Sequence, residues 1–194
     1  MVRLGSARGF TLLDLLVVIG IIIILTAVGL PLLNTATERL RFTQAAREVE
    51  RELQGAKQRA VASNRPVRVR FNCPSNGIYR AVELIGTPSV PSSLDSADNR
   101  CDDTTYPYPA ADRDPVTRPN IDGQLRRLPR GIAFGSVQTI EFWPDGTAHA
   151  LPSSSSGNPW PTIATTGETL TLTQGSRTAS IQVNGLGRIT LATQ

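Results

Sequence analysis

Nineteen consecutive residues, Leu15 to Leu33, carry no charge, and almost all of them are apolar. As a helix rising about 1.5 Å per residue the run is roughly 28 Å long, the thickness of a bilayer's hydrocarbon core. A short polar leader with Arg3 and Arg8 precedes it, and a single carboxylate, Asp14, stands at its start, four residues after Phe10. A charge one turn inside a membrane helix is costly and generally has a partner. The sequence therefore predicts a single-pass membrane helix over residues 10–33 whose Asp14 awaits a positive group on a neighbouring chain.

Beyond Leu33 the pattern turns amphipathic. Phe42, Ala46, Val49, Leu53, Ala56 and Ala60 alternate spacings of four and three and make one apolar stripe. Arg47, Glu50, Arg51, Gln54 and Lys57 occupy the other faces. The small residues of the stripe predict close packing on a sheet. Pro31 removes a backbone donor and is expected to kink or loosen the helix. Asn64-Arg65-Pro66 is a stop signal, so one helix is expected from about Phe10 to Ser63, with an amphipathic half over 34–64.

From residue 65 to 194 the period is that of strands. Val67, Val69 and Phe71 alternate with Arg68 and Arg70, a strand with one apolar face. Cys73 to Gly77 turns the chain and Ile78 to Ile85 returns it. Residues 86–131 are poor in apolar side chains and rich in Pro, Ser, Asp and Arg, and are expected to be an irregular surface excursion. Strand character resumes at Ile132-Ala133-Phe134. A hairpin follows around Pro144-Asp145-Gly146, and a three-stranded antiparallel meander closes the chain, with Leu170, Leu172, Ile181, Val183, Ile189 and Leu191 on its buried face. One helix followed only by strands makes the fold class α+β.

The two cysteines, Cys73 and Cys101, follow the apolar run. In a domain exported across a bacterial inner membrane they are expected to form a disulfide that ties down the excursion. Two Cys and the single His149 are too few for a metal site. His149 reads as a surface or cross-strand residue, Ser153–Ser156 lacks the context of a nucleophile elbow, and Gly185-Leu186-Gly187 is no dinucleotide loop. Neither an enzyme nor a cofactor is expected. The formal charge is +4, and +2 without Arg3 and Arg8, too mild to imply nucleic acid by itself.

Arg8-Gly9-Phe10-Thr11-Leu12-Leu13-Asp14, running into the apolar segment, resembles the type III signal of the type IV filament superfamily, the pilins and pseudopilins. That resemblance implies cleavage between Gly9 and Phe10 by a prepilin peptidase, so residues 1–9 are a leader. It also implies N-methylation of Phe10, and inter-subunit pairing of Asp14 with the amine of a neighbouring subunit. Most of the family has Glu where this chain has Asp14, and the family's helix proline is matched by Pro31. Arg59 to Val67, Phe142-Trp143-Pro144-Asp145-Gly146 and Gly187-Arg188-Ile189 are similar to the GspH/FimT branch, minor pseudopilins of type II secretion and minor pilins of type IV pili. The implied fold is a long N-terminal helix packed on an antiparallel, sandwich-like β head. The implied location is the bacterial inner membrane, single pass, with the head in the periplasm or outside the cell within a pilus or pseudopilus. The implied partners are the peptidase, other minor subunits and the major subunit.

Two functions follow from the resemblance. One is a tip or priming subunit for type II protein secretion or pilus assembly. The other is a pilus-tip receptor for DNA uptake. FimT-like DNA receptors carry Gly-Arg-x-Arg near the C-terminus, and Gly187-Arg188-Ile189-Thr190 keeps the first arginine, with Thr190 in place of the second. Arg126, Arg127, Arg130 and Arg177 are candidates to extend a DNA-binding patch around Arg188, which is expected on a solvent face between buried Leu186 and Ile189.

Overall fold

The computed structural model describes residues 12–84, 100–101, 104, 108, 123–135, 139–150 and 161–193. The leader, Gly9 and Phe10 lie outside them. The chain divides into two compact units, Met1–Arg41 and Phe42–Gln194. A single helix, α1 (Leu12–Ser63), supplies the first unit and enters the second. It runs uninterrupted through position 31, where the sequence predicts a kink.

In the first unit the helix exposes Leu12, Leu13, Leu15, Leu16 and Ile21–Leu25. Thr26 satisfies its hydroxyl inside the helix, donating to the Ile22 carbonyl at 2.9 Å, and Thr37 does the same to Leu33 at 2.7 Å. Asp14 lies in the first turn, where the helix dipole favours a carboxylate. Among the described residues no helix is long and apolar enough to cross a membrane. The span expected over residues 10–33 falls partly outside those residues.

In the second unit the predicted stripe is buried. Ala46, Val49, Leu53, Ala56 and Ala60 have no exposed surface and Phe42 has 3%. Ala45 joins them. The helix ends where the stop signal requires. Asn64 adopts a left-handed φ of 53°, and the Arg65 N–H donates to the Ala60 carbonyl at 3.2 Å, closing a Schellman-type cap.

Two antiparallel sheets follow. The first has the order β3-β2-β1-β5-β6 and the second β4-β7-β8-β9. The strands are β1 (Val67–Phe71), β2 (Ile78–Glu83), β3 (Arg126–Arg127), β4 (Ala133–Phe134), β5 (Ile140–Phe142), β6 (Ala148–Ala150), β7 (Glu168–Gln174), β8 (Arg177–Val183) and β9 (Ile189–Thr193). The α1 stripe and the apolar faces of both sheets form one core. In it Phe71, Tyr79 and Phe134 meet edge-on or offset, with ring centroids 5.1 to 6.3 Å apart.

The sheets differ in how they treat their second face. In β7–β9 buried Leu170, Leu172, Ala179, Ile181 and Val183 alternate with Thr and Ser side chains that reach solvent. The first sheet is buried on both faces, and all six residues of β2 are inaccessible. This corrects the expectation that residues 86–131 are purely an irregular surface excursion. Arg126 and Arg127 pair with Tyr79 and Ile78 as an edge strand, the Gly123 N–H donates to the Ala81 carbonyl at 2.7 Å, and Arg100, Cys101 and Leu128 are buried. The attachments are made by guanidinium groups donating to backbone carbonyls. Arg80 reaches Gly123 at 2.6 Å and Arg100 at 2.8 Å, and Arg100 reaches Glu83 at 2.7 Å. Cys73 and Cys101 form the expected disulfide, with Cα atoms 5.5 Å apart across 28 residues. Closing a loop of that length contributes about 3–4 kcal/mol in the chain-entropy picture.

Leu53 is fully buried in the core. Leu53→Ala is expected to lower the unfolding free energy by about 2–5 kcal/mol, while Val61→Ala on the exposed side of the same helix changes it by no more than about 0.5 kcal/mol. Urea denaturation of the detergent-solubilised protein measures both.

Candidate functional site

The register of the first sheet brings its polar residues onto one face. Arg68 pairs with Glu141 across β1–β5, and Glu141 pairs with His149 across β5–β6. Arg68 donates from Nε and Nη2 to Glu141 Oε2 at 2.9 and 2.6 Å. Trp143 Nε1 donates to the other carboxylate oxygen at 2.7 Å. The Trp143 indole stacks on the His149 ring with centroids 4.1 Å apart, and His149 Nε2 lies 2.9 Å from Thr147 Oγ1. Thr147 donates its hydroxyl and its N–H to Asp145 Oδ1 at 2.6 and 2.9 Å. These two bonds hold the Asp145 carboxyl below the usual carboxylate range. A group so lowered contributes stability above that range and loses it as pH falls through the folded-state value.

Arg68, on the polar face of its strand, is nonetheless 2% exposed, and of the two places expected for His149 it takes the cross-strand one, paired with Glu141 and 5% exposed. Both follow from the covered outer face of this sheet, which strand periodicity does not reveal. Arg68, Glu141, Trp143, His149, Thr147 and Asp145 are thus linked in one polar network that runs from the buried sheet face to the exposed turn at Asp145. Among the described residues no cluster of His, Cys, Asp and Glu could hold a metal ion.

A second charged cluster joins α1 to β3. Arg126 donates from Nε to Glu52 at 2.7 Å and from Nη1 to Glu48 at 2.9 Å, and Arg59 donates to Glu52 at 2.9 Å. Glu48 and Glu52, one turn apart, would repel each other without the guanidinium between them. Burial tends to lower the Arg126 pKa, but the charge and hydrogen bond of Glu52, with Tyr79 and Glu48, outweigh it and raise the value. Burial also pushes the Tyr79 phenol up, and Glu48 adds to the effect. Beside the cluster lies a groove of about 580 Å³ lined by Gln44, Arg47, Glu48, Arg51, Glu52 and Arg126.

The five arginines considered for DNA do not all lie together. Arg126 is committed to Glu48 and Glu52. Arg127 and Arg130 are exposed nearby in sequence. Arg177 opens β8 and Arg188 follows its far end, roughly 20 Å away at strand rise. Arg188 is exposed, as expected, but its neighbour Leu186 is 75% exposed and not buried. Two stretches that carry the sequence resemblance, Phe142–Gly146 and Gly187–Ile189, converge. A Cβ at Gly187 would run into the Gly146 carbonyl and Lys57. Both glycines have positive φ, 67° and 83°. Lys57 of α1 donates to the Leu186 and Gly187 carbonyls at 3.3 and 3.0 Å, tying helix and turns together.

A family model described as type II transport protein GspH matches residues 45–187. The crystal structure of the type IV minor pilin FimU of Pseudomonas aeruginosa is similar, at 18% identity and a TM-score of 0.46, over 80% of this chain and 91% of that one. The minor pseudopilin EpsH of the Vibrio cholerae type 2 secretion system is similar at 12% identity and a TM-score of 0.42, over 78% of this chain and 95% of that one. No curated protein matches the chain.

Breaking the Arg68–Glu141 pair from one side strands a buried charge. Glu141→Ala is expected to cost about 3–5 kcal/mol, whereas Arg68→Met combined with Glu141→Leu costs less than the sum of the two single changes. A double-mutant cycle followed by urea denaturation reads the difference.

Proposed function

The chain belongs to the GspH family of type II transport proteins, and from that premise we propose that it primes or occupies the tip of a type II secretion pseudopilus or a type IV pilus. A minor subunit of this family is a filament component and not an enzyme. The observation that carries the reading is the family match across residues 45–187, laid on a head in which the second half of α1 is part of the core. An apolar helix built into a folded head is what a subunit needs if pulling on the helix is to move the head.

In this reading a prepilin peptidase removes Met1–Gly9 in the inner membrane and Phe10 becomes the methylated N-terminus. The exported head then meets other minor subunits and the major subunit. Asp14, in the first turn of α1 among exposed leucines, pairs with the N-terminal amine of a neighbour as the subunit enters the helical bundle. A cationic amine beside a carboxylate at that depth stabilises it, so the pair favours entry. DNA recognition by Arg188 asks for arginines gathered on one surface. The separation of Arg177 from Arg188 and the commitment of Arg126 to glutamates favour the assembly role.

Sheared filament fractions from cells producing the full chain test the proposal. Wild-type protein is expected there with a mass lacking Met1–Gly9 and carrying one extra methyl group. Asp14→Ala is expected to be processed yet depleted at least about tenfold, the effect of some 1.4 kcal/mol, and Asp14→Glu to be retained. Entry of Asp14→Ala at the wild-type level would overturn the pairing role.

A further inference from the structure

Three of the four sheet edges are short or already paired. β3 and β4 have two residues each. The outer edge of β6 is taken by residues 161–163, through the His149–Thr162 bridge and bonds from Ala150 N–H to the Pro161 carbonyl and from Ile163 N–H to the Ala148 carbonyl. β9 is different. It is five residues long, and among the described residues it pairs with β8 alone.

The hydrogen-bond phase of that edge can be worked out. The Asn184 N–H donates to the Arg188 carbonyl at 3.1 Å, which makes Asn184 and Arg188 a bonded pair next to Val183–Ile189 in the register. In an antiparallel ladder bonded and non-bonded pairs alternate. Thr190 and Ala192 therefore turn their backbone groups toward β8, and Ile189, Leu191 and Thr193 turn theirs outward. Three consecutive outward rungs are a template for one more strand.

Alongside the edge, α1 and β9 enclose a groove of about 500 Å³, lined by Gln58, Val61 and Ala62 of the helix and by Gly187 and Ile189. Val61 is 52% exposed, and Leu186, next to Gly187 in the chain, 75%. Cationic Arg188, exposed, and Lys57 mark the Gly187 end. From these features we infer that the β9 edge receives an extended segment of a different filament subunit by strand addition. The rungs demand an extended backbone. The groove demands apolar side chains at alternate positions, and the cationic end selects a carboxylate on the incoming segment. The inference rests on the filament reading, and it identifies which face of the head meets a partner.

The test is photo-crosslinking of the full chain in its own cells, with p-benzoylphenylalanine at Ala192 on the edge and, as control, at Thr169 on the exposed face of β7. The expected result is a crosslink from position 192, absent from 169, to an extended, alternately apolar segment in the head of another filament subunit. Ile189→Pro, which deletes an outward donor and leaves the bonds to β8 in place, is expected to reduce it at least about tenfold. Thr190→Glu, an exposed edge charge of the same sign as the incoming carboxylate, is expected to do the same, and decides the matter if the proline variant does not accumulate. Wild-type chain in the filament fraction with no crosslink above control, a crosslink to a second copy of this chain or to a helical segment, or full crosslinking in Thr190→Glu would each overturn the inference. Absence of the wild-type chain from that fraction would instead remove the filament reading, and this inference with it.

Discussion

The head depends on one contact, the burial of the small-residue stripe of α1 against both sheets. Alanine at 45, 46, 56 and 60 lets the helix backbone approach the strands, and Phe42, Val49 and Leu53 fill the spaces between. Beside the contact of Phe71 and Tyr79 with Phe134, which joins the two sheets directly, the stripe belongs to the same core as the apolar faces of both. The cap at Asn64 then matters because it turns the chain straight from the buried helix into β1. The second half of the helix is therefore a structural layer of the head.

Charge does a second job in this fold. In the first sheet arginine acts as an internal fastener. Arg68 is matched to Glu141, Arg80 of β2 holds the Gly123 and Arg100 carbonyls of the apolar-poor stretch, and Arg100 of that stretch holds the Glu83 carbonyl of β2. A guanidinium suits that work because it presents several donors in a fixed fork and stays charged when buried. The arginine-rich composition is thus partly accounted for by the interior, which reduces what it implies about nucleic acid.

Much of this organisation is legible in the sequence, because it is written in periodicity. The four-and-three spacing from Phe42 to Ala60, the stop at Asn64, the hairpin around Asp145 and the closing meander all appear in the structure. What periodicity cannot show is the covering of the first sheet's outer face. Arg68 and His149 look like solvent residues in the sequence, yet both are buried once the strands are paired. The Arg126 clamp on Glu48 and Glu52 joins residues more than 70 positions apart, and no local pattern announces such a pair. The groups assigned to processing, Gly9 and Phe10, are readable only through resemblance, since their chemistry belongs to an enzyme and a filament outside this chain.

Comparing two fragments tests most directly whether the helix is part of the head's core. Residues 42–194 retain the stripe, and residues 64–194 retain every strand but lose it. Thermal unfolding followed by near-ultraviolet circular dichroism, with the Cys73–Cys101 disulfide intact, should give a single cooperative transition for the longer fragment and none for the shorter. A cooperative transition of similar midpoint in the shorter fragment would contradict the account, because the sheets would then form a core without the helix.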